Sequence, residues 1–301
     1  MSRRDDLFAC IGGTPTFLLP KVSAAAGAQI FGKAEYLNPG GSIKDRIALA
    51  MVEAAERAGP LAPGTTLVEA TAGNTGIGLA WIAAARGYRF VAVMNAADRG
   101  PKTQAMEAVG AECVLLDSHE PWDSEEGALG VARRIAESRG GLFLNQFEND
   151  ANPVAHEHGT APEIVADMEG DVDAVIVGIG TGGTVTGLAR GFAKLLPNVR
   201  LIGVAAEGSY LGTELEGDRI AGITPDFPPR VFEQDLLHRL DTITGDAAAV
   251  AARRLAEIEG IPAGHSSGAL LLAAEAEARR NPGSRILFTL CDSLRNYKPL
   301  W

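Results

Sequence analysis

Residues 38–46, which read Asn-Pro-Gly-Gly-Ser-Ile-Lys-Asp-Arg, combine a turn, a helix start and one lysine. The spacing predicts a helix over residues 42–58, with Ser42 as its N-cap, directly after the glycine-bearing turn. Lys44 is therefore held at the start of a helix. A lysine fixed in this way can form a Schiff base with an aldehyde cofactor, although most lysines are solvated surface charges. Three further loops rich in Gly, Ser and Thr support the chemical interpretation.

The first of these loops covers residues 178–184, Gly-Ile-Gly-Thr-Gly-Gly-Thr, and opens a predicted helix. Its backbone N–H groups and the helix dipole can bind a phosphate without a basic side chain, and Thr181 and Thr184 can add hydroxyl donors. The loop also begins like an NAD fingerprint, and Glu207 follows the next predicted strand, where that fingerprint requires an acidic residue. A tight glycine turn without a ligand is the third interpretation.

The other two loops also precede predicted helices. Residues 71–76, Thr-Ala-Gly-Asn-Thr-Gly, offer an anion site suited to a substrate carboxylate, and Asn74 can donate to a ring hydroxyl. As an isolated motif, Asn-Thr-Gly is ordinary turn chemistry. Residues 264–269, Gly-His-Ser-Ser-Gly-Ala, contain serines of the kind that usually cap helices. The alternative role of such a serine is to be the hydroxyl partner of a heteroaromatic nitrogen.

Short β-rich runs and helices alternate along the chain and position these loops. Strands are predicted over residues 30–36, 65–71, 90–94, 112–116, 142–144, 172–177, 200–205 and 285–290. Helices are predicted over residues 42–58, 75–86, 124–138, 247–259 and 267–279, and two more end at residues 109 and 196. Because this alternation gives parallel sheets covered on both faces, ligands are expected at the carboxyl ends of strands. Residues 210–229 are expected to form a long surface loop near the site.

Size, charge and cysteine content restrict the class of protein. The 301 residues are 46% hydrophobic, which suits one large or two modest globular domains. The net charge of −11, without a Lys/Arg cluster, argues against a nucleic-acid or membrane partner. Three widely spaced cysteines and the lack of an apolar signal segment predict a cytoplasmic protein without a disulfide framework or a zinc site. His156 and His158 lack an obvious third metal ligand and are expected to be polar loop residues.

Taken together, these loops resemble the cysteine synthase and cystathionine β-synthase family of pyridoxal-phosphate enzymes. The resemblance runs from residues 11–15, Ile-Gly-Gly-Thr-Pro, to residues 292–297, Asp-Ser-Leu-Arg-Asn-Tyr. At residues 152–153, 207–209 and 292–297 the sequence is closer to the cystathionine β-synthase branch of the family. We expect the bare catalytic core of that branch, without a haem-binding segment or a regulatory module. The resemblance implies the α/β fold of fold-type II enzymes, similar to the tryptophan synthase β subunit, with two three-layer α/β/α domains and mainly parallel twisted sheets.

The resemblance also implies a domain organisation and a set of partners. Residues 44–148 would form a smaller, mobile domain that closes over the substrate. Residues 1–43 and 149–301 would form a larger cofactor-binding domain. We expect a homodimer whose other partners are small molecules, namely an amino-acid substrate and a small nucleophile.

Individual residues receive roles from the same resemblance. Lys44 would form the Schiff base with pyridoxal 5'-phosphate, Asn74 would hydrogen-bond the 3'-oxygen of the cofactor, and Ser266 would face its pyridine nitrogen. The residues that would hold the phosphate are Gly180, Thr181, Gly182, Gly183 and Thr184. The residues that would receive the substrate carboxylate are Thr71, Gly73, Thr75 and Gln146, with Ala72 in the same loop.

The implied reaction is β-replacement on L-serine or an O-activated L-serine through an aminoacrylate. A neutral serine hydroxyl does not keep the pyridine nitrogen protonated, which favours loss of a β-leaving group over transamination. A sulfur nucleophile, giving cysteine or cystathionine, is the first expectation. The alternatives are an amine nucleophile giving a 2,3-diaminopropionate-type product in specialised metabolism, and net β-elimination. From other classes, an NAD-dependent oxidoreductase and a non-catalytic binding homologue stay open.

Two departures from the family pattern bear on specificity. Ala72 stands where the family usually has serine, which removes a hydroxyl donor worth about 1 kcal/mol. Residues 94–99, Met-Asn-Ala-Ala-Asp-Arg, lack the proline and the serine-rich turn that usually frame the entrance for the second substrate. The identity of the nucleophile is therefore left open. Asp226 with Phe227 resembles the loop of serine-using relatives and hints at a poor leaving group such as hydroxyl.

Overall fold

The computed structural model describes residues 6–118, 120–212 and 219–297, which form an α/β protein with two sheets. The larger sheet contains, in spatial order, Thr16–Leu18 (β1), Gln29–Lys33 (β2), Arg285–Thr289 (β10), Ala174–Gly178 (β7), Arg200–Ala206 (β8) and Arg239–Ile243 (β9). The smaller sheet contains Glu112–Leu116 (β5), Arg89–Asn95 (β4), Thr66–Ala70 (β3) and Leu142–Phe143 (β6). All neighbouring strands are parallel except β1 and β2.

Helices connect the strands and cover the sheets. The α-helices are Pro20–Ala26 (α1), Lys44–Ala58 (α2), Asn74–Arg86 (α3), Pro101–Ala108 (α4), Ala128–Ser138 (α5), Ala151–Ala155 (α6), Ala161–Asp167 (α7), Gly183–Leu195 (α8), Gly245–Glu259 (α9) and His265–Arg280 (α10). A π-helical turn, His156–Thr160, joins α6 to α7. None of the described helices is long and apolar enough to cross a bilayer.

Alternating side chains give each sheet two apolar faces. In β7, Ile176 packs in one core with Leu270 of α10, whereas Val175 and Val177 pack in another core with Leu188 of α8. Successive side chains of a strand point to opposite faces, so a strand buried on both sides is apolar throughout. The smaller sheet is divided in the same way between two further cores. This is the three-layer arrangement expected from the sequence, and the predicted fold class is confirmed.

The ends of several predicted elements differ from the structure. The strand predicted over residues 30–36 ends at Lys33, and the chain continues as the 3-10 helix Glu35–Leu37. The prediction of Ser42 as an N-cap was wrong, since α2 begins at Lys44 and its N-cap position is Ile43. The hydroxyl of Ser42 nevertheless accepts a hydrogen bond from the backbone N–H of Lys44 at 3.1 Å. The elements β1, α1, α6, α7 and β9 were not predicted.

The two sheets bear on the expected domains. The smaller sheet lies wholly within residues 44–148, and every strand of the larger sheet lies outside that range. The domain limits themselves, and the mobility of the smaller domain, stay predictions. Part of the loop expected over residues 210–229 falls on residues 213–218, which lie outside the described residues.

A buried group of charges fixes the start of α2. Arg46 donates two hydrogen bonds to the carboxylate of Glu35, at 2.7 and 2.8 Å, and two to that of Glu163, at 2.8 and 2.7 Å. Lys33 lies 2.9 Å from a carboxylate oxygen of Glu163. Burial raises the pKa of Glu163, but the bonds from Arg46 outweigh it and hold this pKa at about 2. The network therefore ties the segment that carries Lys44 to the end of β2 and to α7.

We expect the substitution Arg46→Met to lower the free energy of unfolding by about 3–5 kcal/mol, because it leaves the fully buried carboxylate of Glu35 without its charged partner. Urea denaturation measures this change. Arg253→Ala is the matched control, since Arg253 pairs with Glu257 on the surface of α9, and its loss is expected to stay below about 0.5 kcal/mol. Similar losses for the two variants would contradict the structural role of the network.

Candidate active site

A cavity opens where β7 and β10 end. It brings together four residues that the sequence places far apart, namely Lys44, Asn74, Thr184 and Ser266. The remaining lining residues are Ile43, Gly178, Ala221, Gly222, Ile223, Thr289, Cys291 and Asp292. Gly178 is the last residue of β7 and Thr289 the last of β10, so the cavity lies at the carboxyl ends of parallel strands, where the sequence predicted a ligand.

Lys44 is the first residue of α2, and its side chain is partly exposed because it lines the cavity. The protein around its amine nevertheless removes most of the water. Burial therefore lowers the pKa of Lys44, and the negative charge of Asp292 opposes that shift. A lysine with a lowered pKa releases its proton more easily and is a better nucleophile and base near neutral pH.

The glycine loop between β7 and α8 has no room for side chains. A Cβ atom on Gly183 would lie 1.9 Å from Oδ1 of Asn152, and one on Gly180 would lie 2.3 Å from the carbonyl oxygen of Gly222. The loop ends at the first turn of α8, and the backbone N–H groups of a helix start can bind an anion. The structure thus supplies a cradle of the kind that a phosphate needs, and Thr184 of this cradle lines the cavity.

His156 contacts the glycine loop through the hydroxyl of Thr184. Its Nε2 lies 3.2 Å from Oγ1 of Thr184, and its Nδ1 lies 2.9 Å from Oγ1 of Thr160. Burial and the nearby cations lower the pKa of His156 well below its usual value, so the ring is neutral. The expectation that His156 is a polar loop residue was wrong, because it lies buried in a π-helical turn that packs against α8; His158 in the same turn is exposed.

The loop before α3 is linked to the glycine loop by hydrogen bonds. Thr75 donates to Oε1 of Gln146 at 2.7 Å, and the hydroxyl of Thr71 accepts from the backbone N–H of Gly73 at 3.1 Å. Asn152 donates both to the carbonyl oxygen of Gln146, at 2.8 Å, and to Oγ1 of Thr181, at 2.9 Å. Thr75 and Gln146 of the predicted carboxylate site are therefore connected through Asn152 to Thr181 of the predicted phosphate site. Ala72 is half-buried and packs against the core of the smaller sheet.

A thiol lies beside the serine predicted to face the ring nitrogen. Burial raises the pKa of Cys291 to about 11, while hydrogen bonds from Thr289 and Ser266 oppose the shift. The thiol is therefore neutral. Sequence reasoning considered Cys291 only as one of three widely spaced cysteines, and nothing in the sequence placed it next to Ser266.

Asp292 is a second lining residue that sequence reasoning did not select. It accepts hydrogen bonds from Asn74 at 2.7 Å and from Tyr297 at 2.5 Å, and it is the only carboxylate among the lining residues. The available signal was its place at the start of the motif over residues 292–297. Among the described residues, no group of three or more His, Cys, Asp or Glu is arranged to hold a metal ion.

The lining fits a phosphorylated aromatic aldehyde. Lys44 supplies an amine, the glycine loop a phosphate cradle, Asn74 an amide donor and Ser266 a neutral hydroxyl. Two buried oxygens, Oδ1 of Asn152 and Oδ1 of Asp292, have no hydrogen-bond partner among the described residues, as expected of a site that is completed by bound groups. The wider groove beside α5 and β6 contains none of the predicted site residues.

The fold and the cavity together define a fold-type II enzyme that uses pyridoxal phosphate. The family described as "Pyridoxal-phosphate dependent enzyme" matches residues 7–292. The chain belongs to this family, and its cofactor is pyridoxal 5'-phosphate.

Two relatives are similar over nearly the whole chain. Cystathionine beta-synthase of Rattus norvegicus is 40% identical over 303 residues, which cover 97% of this chain and 54% of the rat enzyme. The chain therefore spans about half the length of that relative. Cysteine synthase of Staphylococcus aureus (strain Mu50) is 39% identical over 292 residues, which cover 96% of this chain and 93% of the relative.

Solved structures agree with this placement. O-ureido-L-serine synthase superposes with a TM-score of 0.93 at 37% identity, covering 99% of this chain and 95% of that one. A hydrogen sulfide-producing enzyme from Fusobacterium nucleatum superposes with a TM-score of 0.90 at 33% identity, covering 99% of both chains.

We expect Gly183→Ala to raise the dissociation constant for pyridoxal phosphate by about tenfold or more, because its Cβ displaces Asn152 and opens the cradle. Fluorescence titration of the apoprotein measures the constant. Gly59→Ala is the control, since no atom lies within 4 Å of a Cβ at that position. Unchanged affinity in the Gly183 variant would show that the phosphate binds elsewhere.

Proposed function

We propose that the chain catalyses β-replacement on L-serine or an O-activated L-serine, with a sulfur nucleophile that gives cysteine or cystathionine. The observation that carries the proposal is the cavity in which the amine of Lys44 shares one lining with Asn74, Thr184 and the neutral groups Ser266 and Cys291. The names of the relatives support it, because cysteine, cystathionine and O-ureido-L-serine are all amino acids substituted at the β-carbon.

Lys44 takes the central role in this proposal. Bound pyridoxal phosphate supplies an electron sink for the charge that develops at the α-carbon. The desolvated amine of Lys44 removes the α-proton and later returns it, which its lowered pKa favours near neutral pH. The N-terminus of α3, with Thr71, Thr75 and Gln146, orients the substrate by its carboxylate.

Two groups at the proposed ring-nitrogen end of the cavity, Ser266 and Cys291, are uncharged. Ser266 is a hydroxyl, and the raised pKa of Cys291 keeps its thiol protonated. Neither group is an anion that would hold the pyridine nitrogen in its protonated form, so the electron sink is weaker. A weaker sink favours expulsion of the β-substituent over transamination.

An amine or other non-sulfur nucleophile is the second candidate. The residues expected to frame the entrance form the end of β4 and the 3-10 helix Ala96–Asp98, and burial raises the pKa of Asp98 while the charge of Arg219 opposes that shift. Arg219 itself pairs with Asp226 at 2.7 Å. Within this group, Asp98 stands where the family pattern has an uncharged turn, so an amine nucleophile is kept as the second candidate. Net β-elimination is the outcome if no nucleophile enters.

The wider setting belongs to the same proposal. We propose that residues 44–148 close over the bound substrate and exclude water from the site. We also propose that the protein works as a homodimer in the cytoplasm. Analytical ultracentrifugation tests the assembly, and a monomer at catalytic concentrations would exclude the dimer.

A donor and nucleophile panel tests the reaction. Serine, acetylserine and phosphoserine are each mixed with the enzyme that contains pyridoxal phosphate. Each donor is tested first alone and then with a nucleophile, namely sulfide, homocysteine, hydroxyurea or an amine that would give a 2,3-diaminopropionate-type product. We expect a change in visible absorbance with at least one donor and a new β-substituted product by mass spectrometry. No absorbance change with any donor would support the non-catalytic alternative and exclude this proposal.

We expect Lys44→Ala to lower turnover by about 10³-fold or more while the fold is kept, because both the covalent anchor and the base are lost. Borohydride reduction of the wild type is expected to fix the cofactor on Lys44, which an NAD-dependent oxidoreductase would not show. Lys21→Ala, at an exposed lysine of α1, is the control. Retained turnover in the Lys44 variant would refute the assignment.

We expect Ser266→Asp to slow β-replacement, because a carboxylate beside the pyridine nitrogen keeps that nitrogen protonated and strengthens the electron sink. Stopped-flow measurement of the donor-induced absorbance change gives the rate. Ser266→Ala separates loss of the hydroxyl from gain of the charge. An unchanged rate in the aspartate variant would mean that Ser266 acts only at the helix start.

A further inference from the structure

Asp292 is a buried carboxylate to which the proposed reaction gives no role. It follows β10 by three residues and is 1% exposed. Its backbone pairs with Ser42, two residues before Lys44, and its carbonyl oxygen accepts from the backbone N–H of Gly264 at 3.2 Å. The carboxylate is thereby held between the segment that carries Lys44 and the loop that precedes α10.

Both hydrogen bonds to this carboxylate reach the same oxygen. Oδ2 of Asp292 accepts from Nδ2 of Asn74 at 2.7 Å and from the hydroxyl of Tyr297 at 2.5 Å. The other oxygen, Oδ1, is buried and has no partner within the described part of the chain. The carboxylate of Asp292 therefore offers the amide of Asn74 an acceptor oxygen in a fixed position.

These contacts decide which way the amide of Asn74 lies. Its Oδ1 accepts from Nδ2 of Asn296 at 3.3 Å, while its Nδ2 donates to Asp292. An amide nitrogen carries two hydrogens, so one is left to donate into the cavity. The opposite orientation would place the amide oxygen against the carboxylate and the amide nitrogen against the Asn296 donor, which is unfavourable at both ends.

Tyr297 holds the carboxylate from the other side. Its hydroxyl is donated to Asp292, and Nζ of Lys102 from α4 lies 4.0 Å from the centre of its ring. Burial and the adjacent carboxylate raise the pKa of Tyr297 well above its usual value, so the hydroxyl keeps the proton that it donates. The tyrosine hydroxyl is therefore the donor in its hydrogen bond to Oδ2.

We infer that Asp292 is a positioning residue for the cofactor, which orients the amide of Asn74 so that an N–H group faces the cofactor's 3'-oxygen. The inference rests on the proposed role of Asn74 and deepens it. It explains why the N–H group of that amide, and not its carbonyl oxygen, faces the cofactor. Tyr297 contributes to the same positioning, because its hydroxyl holds the carboxylate of Asp292 in place.

A double-mutant cycle on cofactor affinity tests the inference. Asp292→Asn keeps an acceptor at the position of Oδ2 and places its NH₂ group where Oδ1 has no partner, so it removes the charge and leaves the two donors satisfied. The apoprotein is titrated with pyridoxal phosphate, and binding is followed by fluorescence. The absorbance maximum of the loaded enzyme is the second readout.

We expect Asp292→Asn to raise the dissociation constant about fivefold and Asn74→Ala to raise it about tenfold or more. We expect the double variant to match Asn74→Ala within about twofold, because Asp292 acts through an amide that is then absent. Asp292→Asn is also expected to shift the absorbance maximum in the wild-type background but not in the Asn74→Ala background.

If the increases in dissociation constant caused by the two substitutions multiply in the double variant, the inference is overturned. Asp292 would then act independently of Asn74, for example through its charge on Lys44. If Asn74→Ala alone leaves affinity and absorbance unchanged, the proposed role of Asn74 fails and the inference fails with it. Asp123→Asn, at an exposed carboxylate, is the control and is expected to change neither readout.

Tyr297→Phe provides a second route to the same test, and it replaces Asp292→Asn in the cycle if that variant does not fold. It removes the hydroxyl bonded to Oδ2 and keeps the ring under Lys102. We expect an increase in the dissociation constant of about threefold that is again absent when Asn74 is alanine. An effect of equal size in both backgrounds would overturn the inference.

Discussion

The bidentate contacts that Arg46 makes with the buried carboxylate of Glu35 and the partly exposed carboxylate of Glu163 are the constraint on which the rest of the site depends. They fix the first turn of α2, and Lys44 lies only two residues before Arg46. A buried arginine with this geometry cannot move without leaving Glu35 as an unpaired charge in the protein interior, which is strongly unfavourable. The reactive amine thereby keeps a defined position although its side chain faces an open cavity.

The remaining groups of the cavity reach that amine from loops that are distant in the sequence. The loop before α3, the glycine loop before α8, the start of α10 and the segment after β10 all meet there. Asn152 joins two of them through its bonds to Gln146 and Thr181, and His156 supports Thr184. The loop before α3 and the glycine loop are therefore connected by hydrogen bonds and not only by packing.

The distribution of charge in the cavity is as informative as its shape. Burial keeps the thiol of Cys291 and the imidazole of His156 neutral. Asp292 is the only carboxylate among the lining residues, and it engages the amide of Asn74. In the proposed function, the pyridine nitrogen has a neutral hydroxyl as its partner, and the amide of Asn74 offers an oriented donor to the cofactor. This is the electrostatic pattern that suits elimination and replacement at a β-carbon.

Much of the fold could be predicted from the sequence because its signals are local. The apolar runs of β4, β5, β7 and β8 and the glycine loops that follow strands define a parallel α/β architecture without reference to distant residues. The observed limits of several helices differ from the predicted ones by a few residues. The strand β9 was missed because its residues, Arg-Leu-Asp-Thr-Ile, mix charged and apolar side chains as an edge strand does. The helical segment over residues 151–167 was missed because prolines and histidines obscure its period.

The sequence by itself determined which residue types could form the site: one lysine at a helix start, a glycine loop for a phosphate, an amide and a serine. Only the tertiary structure decided which other groups stand beside them. Cys291 and His156 carry no local signal, and Asp292 carries only its place at the start of the motif over residues 292–297. A carboxylate, a thiol or an imidazole acquires its role from the neighbours that folding brings within hydrogen-bond distance. Burial sets the protonation of the thiol and the imidazole, and Asp292 is paired with a residue 218 positions away in the chain. No local pattern of residues specifies such contacts.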